Sequence, residues 1–160
     1  MPDLREPSER VSPRARLMWT VEAVANSVFT LGVYVVVGLA WDAVPFTWWL
    51  VAGLAVVALA YIVLMPRWRY AVHRWEVTET AVYTQAGWWS VDRRIAPMSR
   101  IQTVDYAEGV FSRMFGLASV TVTTASAAGA LEIAALDRTL ARELVERLAR
   151  RADAVPGDAT

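Results

Sequence analysis

Two apolar runs, residues 17–41 and 46–65, are separated only by Asp42, Ala43, Val44 and Pro45, and they constrain the fold of this chain more than any other feature. They hold roughly 25 and 20 residues, against the roughly 20 that a helix needs to cross a 30 Å hydrocarbon core. In lipid only a helix satisfies its own backbone hydrogen bonds, so each run is predicted to be a transmembrane helix. The short break makes the two helices antiparallel neighbours, a hairpin with both ends on one side of the bilayer.

Charge placement gives that hairpin a direction. Arg14 and Arg16 precede the first run, Arg67, Arg69 and Arg74 follow the second, and the break carries no base and one acid, Asp42. The positive-inside rule then places both termini in the cytoplasm. Trp41, Phe46, Trp48 and Trp49 are expected at the outer interface and Trp19, Trp68 and Tyr70 at the inner one. Residues 1–16, polar and carrying Pro2, Pro7 and Pro13, read as a flexible cytoplasmic lead-in.

Glu22 and Asn26 interrupt the first run four residues apart, on one helix face. An ionisable residue in a membrane raises the hypothesis of a proton or ion relay. The alternative is structural: Glu22 lies about one turn inside the run and can pair with a juxtamembrane arginine, while Asn26 bonds across helices. No second acid or base occupies either run, which favours the structural role. Gly32, Gly38, Gly53, Ala55, Ala58 and Ala60 permit close helix approach, within the hairpin or in a homo-oligomer.

After Pro66 the pattern changes to a period of two. Residues 68–77 read as a strand, Thr78, Glu79 and Thr80 as a turn, and residues 81–86 as its partner strand. Further strands are predicted over 89–95, 101–106, 118–123 and 131–135, with a turn at Ala127, Ala128 and Gly129. Ala118, Val120 and Val122 alternate with Ser119, Thr121 and Thr123, as in a half-buried antiparallel strand. Between Gly109 and Gly116, the residues Val110, Phe111, Met114 and Phe115 suggest a short helix buried on one face. A last amphipathic helix is predicted from an Asp137 cap, with Leu140, Leu144 and Leu148 inward and Glu143–Arg147 and Glu146–Arg150 pairs outside. The expected fold class is thus a membrane α-helical hairpin followed, over residues 66–152, by a mainly-β domain. That domain would be a strongly bent antiparallel sheet or partial barrel capped by a C-terminal helix, with residues 153–160 a flexible tail.

Composition narrows the chemistry. The chain has no cysteine and a single histidine, His73, so disulfides, thiol catalysis and a multi-histidine metal centre within the chain are excluded. All 16 basic residues are arginine and they balance 16 acids. No phosphate loop or nucleophile elbow is present. Asp105 and Glu108 are read as solvated acids and His73 as a surface strand residue. No catalytic residue, cofactor or metal is expected, and no nucleic-acid partner.

One stretch is distinctive. Arg100, Ile101, Gln102, Thr103, Val104 and Asp105 are followed by residues 109–120, which read GVFSRMFGLASV. Together they resemble the bacterial pleckstrin-homology domain of YdbS-like membrane proteins, in which R-I-Q-x-V-x precedes a short helix ending R-x-F-G-L-x-x-V. Residues 77–83, Gly87, Trp88, Trp89 and the segment 92–97 resemble the family's upstream hairpin. The resemblance covers most of residues 67–150, and the preceding helical hairpin matches the family's layout. It implies a domain tethered to the bacterial inner membrane, working with a larger protein that carries several related domains. It marks Arg100, Gln102, Arg113, Phe115 and Gly116 as motif positions, either fold elements or partner contacts.

The expected function is a membrane-anchored binding or scaffold module that recruits a protein partner at the inner leaflet. The alternative is a sensor of lipid headgroups. From Pro66 onward 12 arginines face 11 acids, and the first hairpin turn is Thr78, Glu79 and Thr80, which disfavours polyanion binding.

Overall fold

The computed structural model describes residues 6–41, 47–125 and 129–154, with side chains to Arg151. The break at 42–45 and the expected interface residue Phe46, the first five residues of the lead-in, Ala127 and Ala128 of the predicted turn, and the tail beyond 154 lie outside the described residues.

Two long helices, α1 (Arg14–Ala40) and α2 (Trp48–Val72), are each long and apolar enough to cross a membrane, and they pack along one another. Their apolar side chains face outward, as lipid-facing ones do: Phe29 is 73% exposed and Val56 68%. A built Cβ at Gly32 or Gly53 meets nothing within 4 Å, so neither glycine serves close approach inside the hairpin.

The strands form two antiparallel sheets. β1 (Glu9–Arg10), β2 (Arg74–Val77), β3 (Ala81–Gly87) and β4 (Val91–Pro97) make the first, in that order. A single 3-10 turn, Met98–Arg100, leads into the second sheet of β5 (Ile101–Ala107), β6 (Leu117–Thr124) and β7 (Leu131–Asp137). The short α3 (Val110–Met114) joins β5 to β6, and α4 (Arg138–Ala154) closes the domain against the second sheet. Alternation reads through to burial here. Ala118, Val120 and Val122 are buried, as are Leu131 and Ile133, while Glu132 points out. Leu144 and Leu148 of α4 are inside, whereas Leu140, expected inward in the first turn, is exposed; Glu146 pairs with Arg150 at 3.9 Å.

Three expectations need correction. First, α2 continues through Pro66 to Val72, so only Arg74–Val77 of the expected 68–77 strand is extended. Proline removes one helical N–H, the one that would reach the Ile62 carbonyl, and crowds the preceding turn; beside it Arg67 Nη1 donates to the Val63 carbonyl at 2.6 Å. Second, residues of the lead-in are ordered. Glu9 pairs with Trp75 and Arg10 with Arg74, the Ser12 N–H donates to the Ala135 carbonyl at 3.1 Å, and Val11 and Ala15 are buried. Third, α3 is less buried than its apolar residues imply. Val110 is 78% and Met114 72% exposed, and only Phe111 and Phe115 pack against the core.

The core runs without interruption from hairpin to domain. Val11, Ala15, Met18 and Trp19 cluster with Trp75, Val82, Leu117, Val120, Ile133, Leu136 and Leu144. A register shift between Ala118 and Val120 puts an extra residue into β7, and Ala135 there adopts φ 55°. This bulge turns the Ala135 carbonyl toward Ser12.

Candidate functional site

Among the described residues, a set of polar and ionisable groups gathers where the domain-side ends of α1 and α2 enter the domain. Trp19, the third residue of the first apolar run, is 1% exposed. The Arg69 guanidinium stands over its ring, 4.6 Å from the centroid. His73, which caps α2, tilts against the same ring at 5.1 Å and is 7% exposed. This corrects two expectations: Trp19 is a core residue rather than an interface anchor, and His73 is a buried cap rather than a surface strand residue.

His73 Nδ1 lies 2.8 Å from the Arg69 carbonyl oxygen, which can only accept, so Nδ1 carries the proton in the neutral ring. Burial pushes the imidazole below its ordinary value of 6.5, with the hydrogen bond to the Arg69 carbonyl opposing and the Arg69 charge reinforcing that change. Around Arg69 stand acids from three elements. Glu22 of α1 and Glu132 of β7 interact with it electrostatically, and Asp92 of β4 lines the same cavity of about 480 Å³. Tyr61 and Trp88 complete that cavity on the membrane side.

A relay of polar contacts fixes α2 to the first sheet. Buried Gln85 donates from Nε2 to the Val72 carbonyl at 3.1 Å and accepts at Oε1 from Arg93 Nε at 2.9 Å. Arg93 and Arg74 both reach Glu6 at 3.6 Å. Together these contacts hold the domain at a set angle to the membrane helices. Among the described residues, no group of three or more histidines or acids is arranged to hold a metal ion.

The motif residues do not meet there. Arg100 and Gln102 are exposed at the start of β5, where the Arg100 carbonyl accepts from the Ala125 N–H at 3.1 Å and Gln102 sits in a register irregularity. Arg113, Phe115 and Gly116 lie beyond the other end of β5, at the corner joining α3, β6 and α4. Gly116 has φ 68°, a conformation glycine adopts without strain, and its carbonyl accepts from the Arg138 N–H at 3.1 Å. Arg138 also donates to the Arg113 carbonyl at 3.3 Å, and its Nε stands 3.0 Å from Glu108 without hydrogen-bond alignment. Tyr106 donates to Glu108, and this bond, opposed by burial and aided by the nearby arginines, holds the Glu108 carboxyl below its ordinary value. Glu22 is half-buried beside Arg69, whereas Asn26 is exposed on α1.

Sequence reasoning missed the Trp19, Arg69 and His73 group because its members come from distant positions. One signal was available: Ala15, Met18, Trp19 and Ala23 follow i, i+3, i+4, i+8 spacing, a buried helical stripe that begins inside the polar lead-in.

Comparison with known proteins agrees with this architecture. Residues 26–152 match the family described as Bacterial PH domain. The chain is similar to the UPF0699 transmembrane protein YdbS of Bacillus subtilis (strain 168), with 29% identity over 155 residues, covering 92% of this chain and 96% of that protein. Neither match indicates an enzyme family. No solved structure matches the chain. A helical hairpin sharing its core with two antiparallel sheets and a closing helix, matched over residues 26–152, makes this chain a transmembrane member of the bacterial PH domain family.

Proposed function

We propose that this protein is a non-catalytic, membrane-anchored scaffold that presents its domain, at a fixed angle, to a protein partner carrying related domains at the inner leaflet. The observation that carries this reading is the shared core: Val11, Ala15, Met18 and Trp19 of the membrane-proximal segment pack with Leu117, Val120 and Leu136 of the domain. A domain built onto its anchor in this way gives up reach and gains orientation, which suits assembly with another membrane-bound surface. β4 and β5 each end their sheet, and their outward residues, among them Gln102, Thr103 and Asp105, are exposed. Such edges accept a strand from a partner through main-chain hydrogen bonds. The arginine distribution supports the orientation with both termini in the cytoplasm. The headgroup-sensing reading gains no support at the first hairpin turn, where the Thr78 hydroxyl accepts from the Ala81 N–H at 3.1 Å and the Thr78 carbonyl accepts from Arg151 at 2.9 Å.

The test is purification from gently solubilised membranes of the full chain and of a Thr103→Lys plus Asp105→Lys variant, which places charge on the β5 edge. The full chain should retain a protein with related PH domains, and the variant should lose it while keeping its melting temperature. Retention by both, or by neither, sinks the edge-pairing scaffold.

A further inference from the structure

The turn between β3 and β4 carries two adjacent tryptophans and leans on the membrane helix rather than on the domain core. Gly87 has φ 150°, and a Cβ there would stand 1.8 Å from the Ser90 carbonyl oxygen, so the turn closes only around glycine. The closed turn leaves Trp88 44% and Trp89 90% exposed, with their ring centroids 5.4 Å apart. Trp88 meets the Tyr61 ring edge-on at 5.8 Å.

Depth follows from helix geometry. Tyr61 precedes Met65, the end of the second apolar run, by one turn, or about 6 Å at 1.5 Å per residue. Tyr61 therefore lies just inside the hydrocarbon boundary, and the Trp88 ring touching it lies at the level where hydrocarbon gives way to headgroups. Tryptophan is enriched there because its ring is apolar and its indole N–H is polar. Between the turn and α2 opens an apolar cleft of about 770 Å³, walled by Leu64, Met65, Trp68, Trp88 and Trp89, with Arg67 also lining it. The cleft continues the outward apolar face of α2, where Leu64 is 64% and Trp68 55% exposed.

We infer that the Trp88–Trp89 turn is a third membrane contact, inserted in the interface of the leaflet on the domain's side, and that phospholipid acyl chains fill the cleft between it and α2. Lipid is the occupant because the cleft opens from the same helix face that the bilayer already surrounds. This contact braces the first sheet on the membrane independently of any protein partner.

The chain has no native cysteine, so Trp89→Cys in the full-length protein supplies one labelling site at a position the core does not use. A nitroxide there, in vesicles of phosphatidylethanolamine and phosphatidylglycerol, is probed with oxygen, which concentrates in hydrocarbon, and with a water-soluble nickel chelate. The same label at Glu143, on the exposed face of α4, is the aqueous reference. The expected result at 89 is loss of nickel access with oxygen access retained, the reverse of the result at 143. Free nickel access at 89 would place the turn in water. Shielding from both probes would mean that protein covers it, and either outcome overturns the inference.

Discussion

The Arg69 guanidinium rests 4.6 Å from the centre of the Trp19 ring, so a cation from the end of one membrane helix is stacked on an aromatic at the start of the other. Arginine suits this place because its planar, weakly hydrated group stacks on a ring while its charge stays within reach of Glu22 and Glu132. His73 closes the same ring from a second side at 5.1 Å. The hairpin and the domain thus meet through specific side chains and share one core.

Trp19→Ala should therefore destabilise the sheet domain although position 19 lies in a membrane run. Truncating a buried tryptophan costs roughly 3–5 kcal/mol. Phe29→Ala, on the same helix but 73% exposed to the lipid side, should leave the domain almost unchanged. Tryptic resistance of the domain in detergent separates the two. Equal resistance of both variants would mean that the joint contributes nothing to the domain.

His73 should make stability depend on pH. Its folded value lies below the ordinary 6.5, chiefly through burial. As pH falls through that ordinary value, the unfolded chain takes up a proton that the folded chain resists, so protonation favours unfolding. The contribution is fully present above the ordinary value and is lost as pH drops through the folded one. Melting temperature should accordingly fall between about pH 8 and about pH 5, and His73→Gln should flatten that slope. Identical slopes in wild type and variant would remove His73 as the cause.

α3 supplies a graded comparison. Phe115 is half-buried against the core, so Phe115→Ala should cost about 2 kcal/mol, near half the value for a fully buried aromatic. Val110→Ser and Met114→Ser, at positions 78% and 72% exposed, should stay within about 0.5 kcal/mol of wild type. Thermal denaturation followed by tryptophan fluorescence gives the ranking, and a Met114 variant worse than Phe115→Ala would reverse the assigned face.

Features with a local cause could be read from the sequence: two apolar runs long enough to span a bilayer, the period-two strands with Glu132 outward, and the glycines that bracket α3. The features that escaped it have tertiary causes. Pro66 reads as a helix end, yet α2 runs on through it to Val72, where Val72 and His73 are buried against the rest of the chain. β1 is two residues long and exists only through its pairing with β2. The candidate site behaves likewise, since no local pattern links Trp19 to Arg69 or either to Glu132. The motif spanning Arg100 to Gly116 was visible as a string, yet its first half opens β5 and its second lies beyond that strand's far end.

Orientation across the membrane can be tested with the same cysteine-free background. Cysteines introduced at Ala43, Ser8 and Glu143 sample the break between the runs and the two ends of the chain. With both termini cytoplasmic, an impermeant thiol reagent applied to spheroplasts should label the first and spare the other two. Labelling at Ser8 or Glu143 without labelling at Ala43 would invert the orientation.

The N-terminal segment offers the sharpest contrast between sequence and structure. Its polar composition marks it as a flexible lead-in, yet Val11 is 4% exposed, the Ser12 N–H bonds the Ala135 carbonyl, and the Arg10 carbonyl accepts from Trp75 Nε1 at 3.3 Å. Val11→Asp would put an unpaired carboxylate in that core and should unfold the domain, because burying an isolated charge costs more than a small domain's whole margin of stability. Val11→Ala removes only two methyl groups and should cost about 2 kcal/mol, less than unfolding requires. Insertion into the membrane should survive in both variants, since neither run is touched. Protease digestion of inverted vesicles would then release fragments of the Val11→Asp domain while leaving the hairpin in the bilayer, and Val11→Ala would stay intact. A Val11→Asp domain as resistant as wild type would return residues 6–13 to the role of a loose leader.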